Sequence, residues 1–367
     1  MKKAFLLLVS AFLITHFTFA QGVPITQAEY VKMLYALDAN PSTKGDVIDA
    51  LRKRGIAFTL TDGVRSLTRT KGRNDDELKR TLEEADRRRQ NPTAYKLPSE
   101  QEAAEVLAKA KAATRDALDA MPDFVVKQII ARSAAYAGTG NWKPLDSVII
   151  AVSYSTEKGE QYRVLAKDGA PVQTETSNNY SNLEGSTTGG EFVEDLARLF
   201  KPESKTEFKV LTTDVVRNQP AIVYDYEILL ENNKGGGVGF KTSNGQSGFS
   251  FTSVPAGEKG KVWIDRKTGR VLRIEFTATD IPSDFKVRAF DSSIDYDWVE
   301  IAGDKYLLPV LSDNKFTSRE GSQLFQDRNL IRFKNYQRYG TDVKILDEDT
   351  APVPAAQSTP EAKPTPY

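Results

Sequence analysis

From Phe124 onward large apolar side chains alternate with polar ones, and a period of two admits little besides β-strands with one dry face. Ile222, Tyr224, Tyr226, Ile228 and Leu230 point one way, Asp225 and Glu227 the other. Val148, Ile150, Val152 and Tyr154 repeat the pattern, as do Leu272, Ile274, Phe276 and Ala278 opposite Arg273, Glu275 and Thr277. Between such runs lie Lys167-Asp168-Gly169, Arg266-Lys267-Thr268-Gly269 and Ala302-Gly303-Asp304, short polar links with glycine where a tight turn needs positive φ. Neighbouring strands should therefore pair as antiparallel hairpins. One helix interrupts them: Phe192, Val193, Leu196, Leu199 and Phe200 recur at helical spacing after Gly189-Gly190. The expectation over residues 122–346 is a large curved antiparallel sheet covered by one or two helices, an α+β fold.

The front of the chain has a different period. Over residues 24–92 the apolar spacing is helical: Tyr30, Met33, Leu34 and Leu37 share one stripe, and Val47, Ile48 and Leu51 share another that Gly55 ends. Ile56 to Leu60 reads as a short extended insert. Two further helices follow, the second opened by Asn74 with Glu77 three residues on. The predicted unit is a small all-α module. It carries a net charge of about +3 and a cluster running from Arg52 to Arg89. The simplest reading is solvated helix surface, since acids sit at salt-bridging spacings; a basic docking face is the alternative. No aromatic platform interleaves the cations, which argues against nucleic acid. Residues 93–121 contain an alanine-rich connecting helix, capped by Ser99 with Glu102, whose stripe of Ala103, Val106, Leu107, Ala110, Ala113, Ala117 and Leu118 suits close packing on a sheet.

Residues 1–20 read as an export signal: Lys2 and Lys3, an apolar run from Ala4 to Ile14, then Thr18-Phe19-Ala20 for cleavage after Ala20. The run is too short and interrupted to span a bilayer, and no later segment is apolar for long enough, so no transmembrane span is expected after cleavage. Periplasmic or extracellular residence follows. Residues 347–367, rich in proline, alanine and threonine, should be a disordered tail, and the Gly-, Ser- and Asn-rich stretch from Asn232 to Gly257 a mobile hairpin tip or flap.

Chemistry is narrowed by subtraction. The single histidine, His16, lies inside the signal, and cysteine is absent. A mature chain of this kind has no His- or Cys-based nucleophile pair, zinc site, thiol redox centre or haem ligand. Carboxylate pairs remain, and a carboxylate-dependent hydrolase is the enzymatic alternative. Asp291, Asp295 and Asp297 are the densest acids of the β region, with Glu191, Glu194 and Asp195 next. The first trio alternates with Ile294, Tyr296 and Trp298 and fits the wet face of a strand; the second fits a helix N-terminus. A calcium loop through Asp291 fails because Ser293, Tyr296 and Ala302 stand at its required positions. Gly235 to Gly239 lacks the lysine and the helix of a phosphate loop. No catalytic, cofactor or metal residue is assigned.

Met121-Pro122-Asp123-Phe124, Asn141 to Asp146, Glu160-Gln161-Tyr162 with Asp168-Gly169, Gly189 to Phe192, Val262 to Glu275, and Asp295-Tyr296 through Pro309 together resemble an uncharacterised family of exported bacterial proteins, over Met121 to Leu346. That family is in turn similar to the lipoprotein-localisation-factor (LolA-like) superfamily. The resemblance implies a half-barrel sheet whose helices enclose an apolar cavity for acyl chains; Val125 stands where cysteine is more usual, which excludes a disulfide there. On this basis the apolar-ligand face would be Ile222, Tyr224, Tyr226, Ile228, Leu272, Ile274 and Phe276. Two functions follow: a non-enzymatic envelope protein holding a lipid or other apolar ligand, or a scaffold with a filled core that docks an envelope protein partner through its helical module.

Overall fold

In the computed structural model, residues 23–92, 95–172, 183, 185–192, 194–243 and 249–339 are described. Residues 1–20, read above as an export signal, residues 347–367, read as a tail, and Val193 lie outside them. Four helices open the described chain. Thr26 caps α1 (Gln27–Ala39) by accepting Glu29 N, and Tyr30, Leu34 and Leu37 form its buried stripe. After a 3-10 turn at Pro41–Thr43, α2 (Lys44–Arg54) buries Val47, Ile48 and Leu51. Ile56 then makes a parallel bridge to Ile25, the form the extended insert takes. Next come α3 (Asp62–Lys71) and α4 (Asp76–Gln90). Asn74 does not cap α4. Arg73 and Asn74 both adopt left-handed backbone (φ 53 and 56), so the helix starts one residue later, with Asp75 accepting Leu78 N at 2.8 Å. These helices share one apolar core.

Helix α5 (Glu100–Asp119), capped by Ser99, leads into the sheet strands β1 (Phe124–Tyr136), β2 (Lys143–Ser155), β3 (Gly159–Lys167) and β4 (Ala170–Pro171). Helix α6 (Glu194–Phe200) separates these from β5 (Glu207–Val216) and β6 (Gln219–Ile228). The stretch from Asn232 to Gly257 holds more order than its composition suggested: a separate hairpin of β7 (Gly237–Ser243) and β8 (Phe249–Pro255). Then follow β9 (Gly257–Asp265), β10 (Val271–Thr279), β11 (Val287–Ile301), β12 (Asp304–Glu320) and β13 (Gln323–Arg338).

Eleven strands form one open antiparallel sheet in the order β4-β3-β2-β1-β13-β12-β11-β10-β9-β6-β5. The architecture is α+β, consistent with a half-barrel. Asp168 (φ 49) and Gly169 (φ 77) turn β3 into β4, both central residues being left-handed, as a two-residue hairpin loop requires.

The apolar face divides in two. On the β5 side Ile222, Tyr224, Tyr226, Ile228, Val262, Ile264, Ile274, Phe276, Ile294 and Tyr296 pack against Ala103, Val106 and Ala110 of α5 and Leu196 and Leu199 of α6. On the β3 side Phe124, Val126, Ile130, Val148, Ile150 and Phe333 gather around Phe192. A polar row lies between them on the same face, running across paired strands through Ser292, Asn314, Asn329, Arg132 and Asp146. Ser186 and Thr188 roof it by hydrogen bonds to Asn329 and Asn314. These short polar side chains satisfy each other, which is what permits polar atoms under cover.

Candidate functional site

The opposite, polar face of the sheet is where the helical module sits. Strand register sets charges there in cross-strand rows. One runs Lys209, Asp225, Lys261, Glu275, Ser293, Asp313; the next runs Glu227, Lys259, Thr277, Asp291, Lys315, Arg328. Opposite charges directly across a strand pair stabilise it, and the rows also form the floor of a groove.

The module stands over this floor on two supports. On the β5 side, Arg87 of α4 reaches Asp214 Oδ1 at 3.2 Å and Arg88 reaches Thr212 Oγ1 at 3.2 Å. Asp214 is buried and takes the Trp263 indole N–H on its other oxygen. At the far side, the turn between β1 and β2 touches the turn between α3 and α4. Gly140 lies so close to Arg73 that a Cβ there would be 1.9 Å from the Arg73 carbonyl oxygen. Between the supports, ion pairs cross the gap: Arg80 to Glu275 at 2.7 Å, Lys261 to Glu77 at 3.3 Å, and Lys315 and Arg328 to Asp76, both at 3.2 Å.

Asp76 and Glu77 open α4, where the helix dipole favours acids. Burial would raise both carboxyls, but the surrounding cations outweigh it. Lys79, Lys315 and Arg328 hold Asp76 down to about 2, and Lys261, Arg52 and Lys44 hold Glu77 down to about 2.

A groove of about 840 Å³ remains between module and sheet. Arg73, Lys209 and Lys259 line it without an ion pair among the described residues, as do the acids Glu207, Asp225, Glu227 and Asp291. Trp142 stands at one end, its ring 5.6 Å from the Arg328 guanidinium. This arrangement offers separated positive and negative charges along a trough; it brings together no nucleophile and base.

Of the residues assigned to an apolar-ligand face, Ile222, Tyr224, Tyr226, Ile228, Ile274 and Phe276 all lie beneath α5 and α6, none more than 9% exposed. The hydroxyl of Tyr224 donates to Ala103 O of α5 at 2.7 Å. Leu272 is on the other face, packed with Val223 and Trp263, because a bulge between Val271 and Arg273 shifts the alternation by one and gives its inner place to Val271.

The acids are also accounted for. Asp295 pairs with Arg273 at 2.7 Å, Asp297 with Arg217 at 3.1 Å, and Asp291 accepts the Thr277 hydroxyl at 2.6 Å. Glu194 is exposed, whereas Glu191 is buried, a position that helix-terminus logic does not anticipate. Trp263 is core, Trp298 is 45% exposed beside Arg270, and Trp142 belongs to the groove. Sequence reasoning had no signal for the groove beyond the basic cluster of the module and the charged alternate residues of the strands, whose mutual facing is a tertiary fact.

No family model matches the chain, and no curated protein matches it. Among solved structures, a DUF1329 family protein from Desulfovibrio piger is similar at 12% identity and a TM-score of 0.29, covering 68% of this chain and 99% of that one. The complex of MucA and MucB from Pseudomonas aeruginosa is similar at 9% identity and a TM-score of 0.17, with 63% of this chain and 94% of that one covered. Likeness at these scores carries no functional inference. Among the described residues no helix is long and apolar enough to cross a membrane.

Proposed function

We propose that this chain is an exported, non-enzymatic interaction protein that holds a mixed-charge polypeptide segment of an envelope partner in the groove between its helical module and its sheet. The supporting observation is the groove itself: about 840 Å³ of trough in which three cations and four acids lack ion-pair partners among the described residues. A ligand carrying both signs complements both sets, whereas a singly charged one is repelled by one of them and an apolar one engages neither. Export is supported by the signal-like first twenty residues.

The competing reading, an acyl chain held against the sheet's apolar face, is weakened because α5 and α6 already fill that space with their own side chains. It would return if protein purified from its host carried extractable lipid in stoichiometric amount. The direct test is a photo-crosslinking residue placed at Lys259 in the intact chain and, as control, at exposed Trp298. A discrete polypeptide adduct from 259 that disappears in high salt supports the reading. The same adducts from both positions, or none from 259, would end it.

A further inference from the structure

Under the glycine-rich loop before β7, on the face opposite the groove, lies a second cavity of about 150 Å³. Its walls include Glu191, Asp195 and Arg198 from α6 and the residues before it, Glu258 from β9 and Asn233 from the loop. The buried polar row reaches it through Ser292 and Asn314. Exposed Glu194, Gly235 and Gly237 border it on the solvent side.

The charges here do not balance. Four carboxylates line the cavity against one guanidinium, and that one is occupied: Arg198 donates to Asp195 at 2.5 Å and to Glu258 at 3.1 Å. The Tyr226 hydroxyl donates to the second oxygen of Glu258 at 2.6 Å. Glu191 is left over. It is only 2% exposed, and among the described residues no cation pairs with its carboxyl, which has only the Thr188 hydroxyl and its own backbone N–H as donors. Asn233, 4% exposed, donates through Nδ2 to Ala256 O at 2.8 Å while its Oδ1 is also without a partner.

A buried carboxyl without a counter-cation and a buried amide oxygen without a donor thus border one cavity, an unfavourable arrangement while it stays so. A group that carries both positive charge and N–H donors answers both. A metal ion is a poor match, because among the described residues no three acids converge as a ligand set. The volume is that of about five waters, at about 30 Å³ each, enough for a small amine or the end of a lysine or arginine side chain.

We propose that this cavity binds a small organic cation, a primary ammonium or guanidinium group, whose N–H donors engage Glu191 and Asn233. Burial, with Glu160 and Asp195 nearby, pushes the Glu191 carboxyl up to about 8, so near neutral pH the empty site carries a proton there. The arriving cation displaces that proton to solvent, and charge is conserved within the site.

The test is calorimetric titration of the full chain at pH 9 and constant ionic strength with n-propylammonium. Tetramethylammonium, a cation without N–H donors, serves as control, and a Lys-containing tripeptide is compared with its Ala analogue. Saturable binding of propylammonium but not of tetramethylammonium is expected, weakened at least tenfold in Glu191→Gln. The melting temperature of that variant without ligand should equal or exceed that of the wild type, which verifies its fold. Tighter binding of the Lys tripeptide than of propylammonium would assign the cation to a polypeptide side chain; equal or weaker binding would assign it to a free amine. Absence of saturable binding, an equal response to tetramethylammonium, or undiminished binding by the variant would overturn the proposal.

Discussion

Trp263 Nε1 donates to Asp214 Oδ2 at 3.0 Å, and the other oxygen of the same carboxylate receives Arg87 of α4. One buried acid therefore fixes a sheet indole and the helical module together. Asp214→Ala strands both donors, and unfolding in urea should report a loss of about 3 kcal/mol or more. Arg87→Ala, at a partly exposed position, should cost about 1 kcal/mol.

The second support is steric. Gly140 has φ 66 and no room for a Cβ beside Arg73 O, whereas Gly138 has φ 74 and nothing within 4 Å of the same atom. Gly138→Ala measures backbone strain alone, about 1 kcal/mol. Gly140→Ala adds the clash and should cost at least about 1 kcal/mol more, with faster proteolytic cleavage within residues 24–92. Equal losses in the two variants would mean that the turns do not bear on each other.

Stability should peak near pH 5. Asp76 and Glu77, held near 2 against ordinary values of 3.8 and 4.5, contribute stability above those ordinary values that is lost as pH falls toward 2. Glu191 has the opposite sign. Its raised folded value of about 8 means that folded and unfolded chains hold the same proton below 4.5, and the folded state loses ground as pH rises from there to 8. Burial likewise lifts Asp195 and Glu84 to about 7, with Asp214 adding to the effect at Glu84. Melting temperatures from pH 3 to 9 should trace this dome. Glu191→Gln should flatten the alkaline side only.

Lys209 makes no ion pair among the described residues and meets Asp225 only across the strand pair, so Lys209→Gln should cost no more than about 1 kcal/mol while weakening partner cross-linking from position 259. A large drop in melting temperature would instead give this lysine a structural role.

The strands and hairpins were legible because alternation and turn residues are local: Ile222 to Ile228 and Asp168-Gly169 each carry their own evidence. The bulge that turns Leu272 outward was not, since a bulge moves register without changing composition. Nor could alternation say what Asp225, Lys259 and Glu275 face, for a polar side chain reads alike whether water or another module's charges oppose it. Arg80, Arg87 and Arg88 fitted a solvated helix surface equally well, and only their positions over Glu275, Asp214 and Thr212 make them a docking face. Glu191 escaped for a related reason: its burial depends on the loop around Asn233, more than forty positions away.

Strand β1 hydrogen-bonds to β13 at the middle of the sheet, with Phe124 opposite Arg338. Strand β1 pairs early with β2, but its other neighbour is formed from nearly the last residues made, and among the described strands this is the only join between β1 to β4 and the rest of the sheet. This seam postpones completion of the sheet to the end of synthesis, and long-separation pairing of this sort is slow. Until then two unjoined parts of the sheet, each with an unsealed border, stand open to wrong pairing and aggregation.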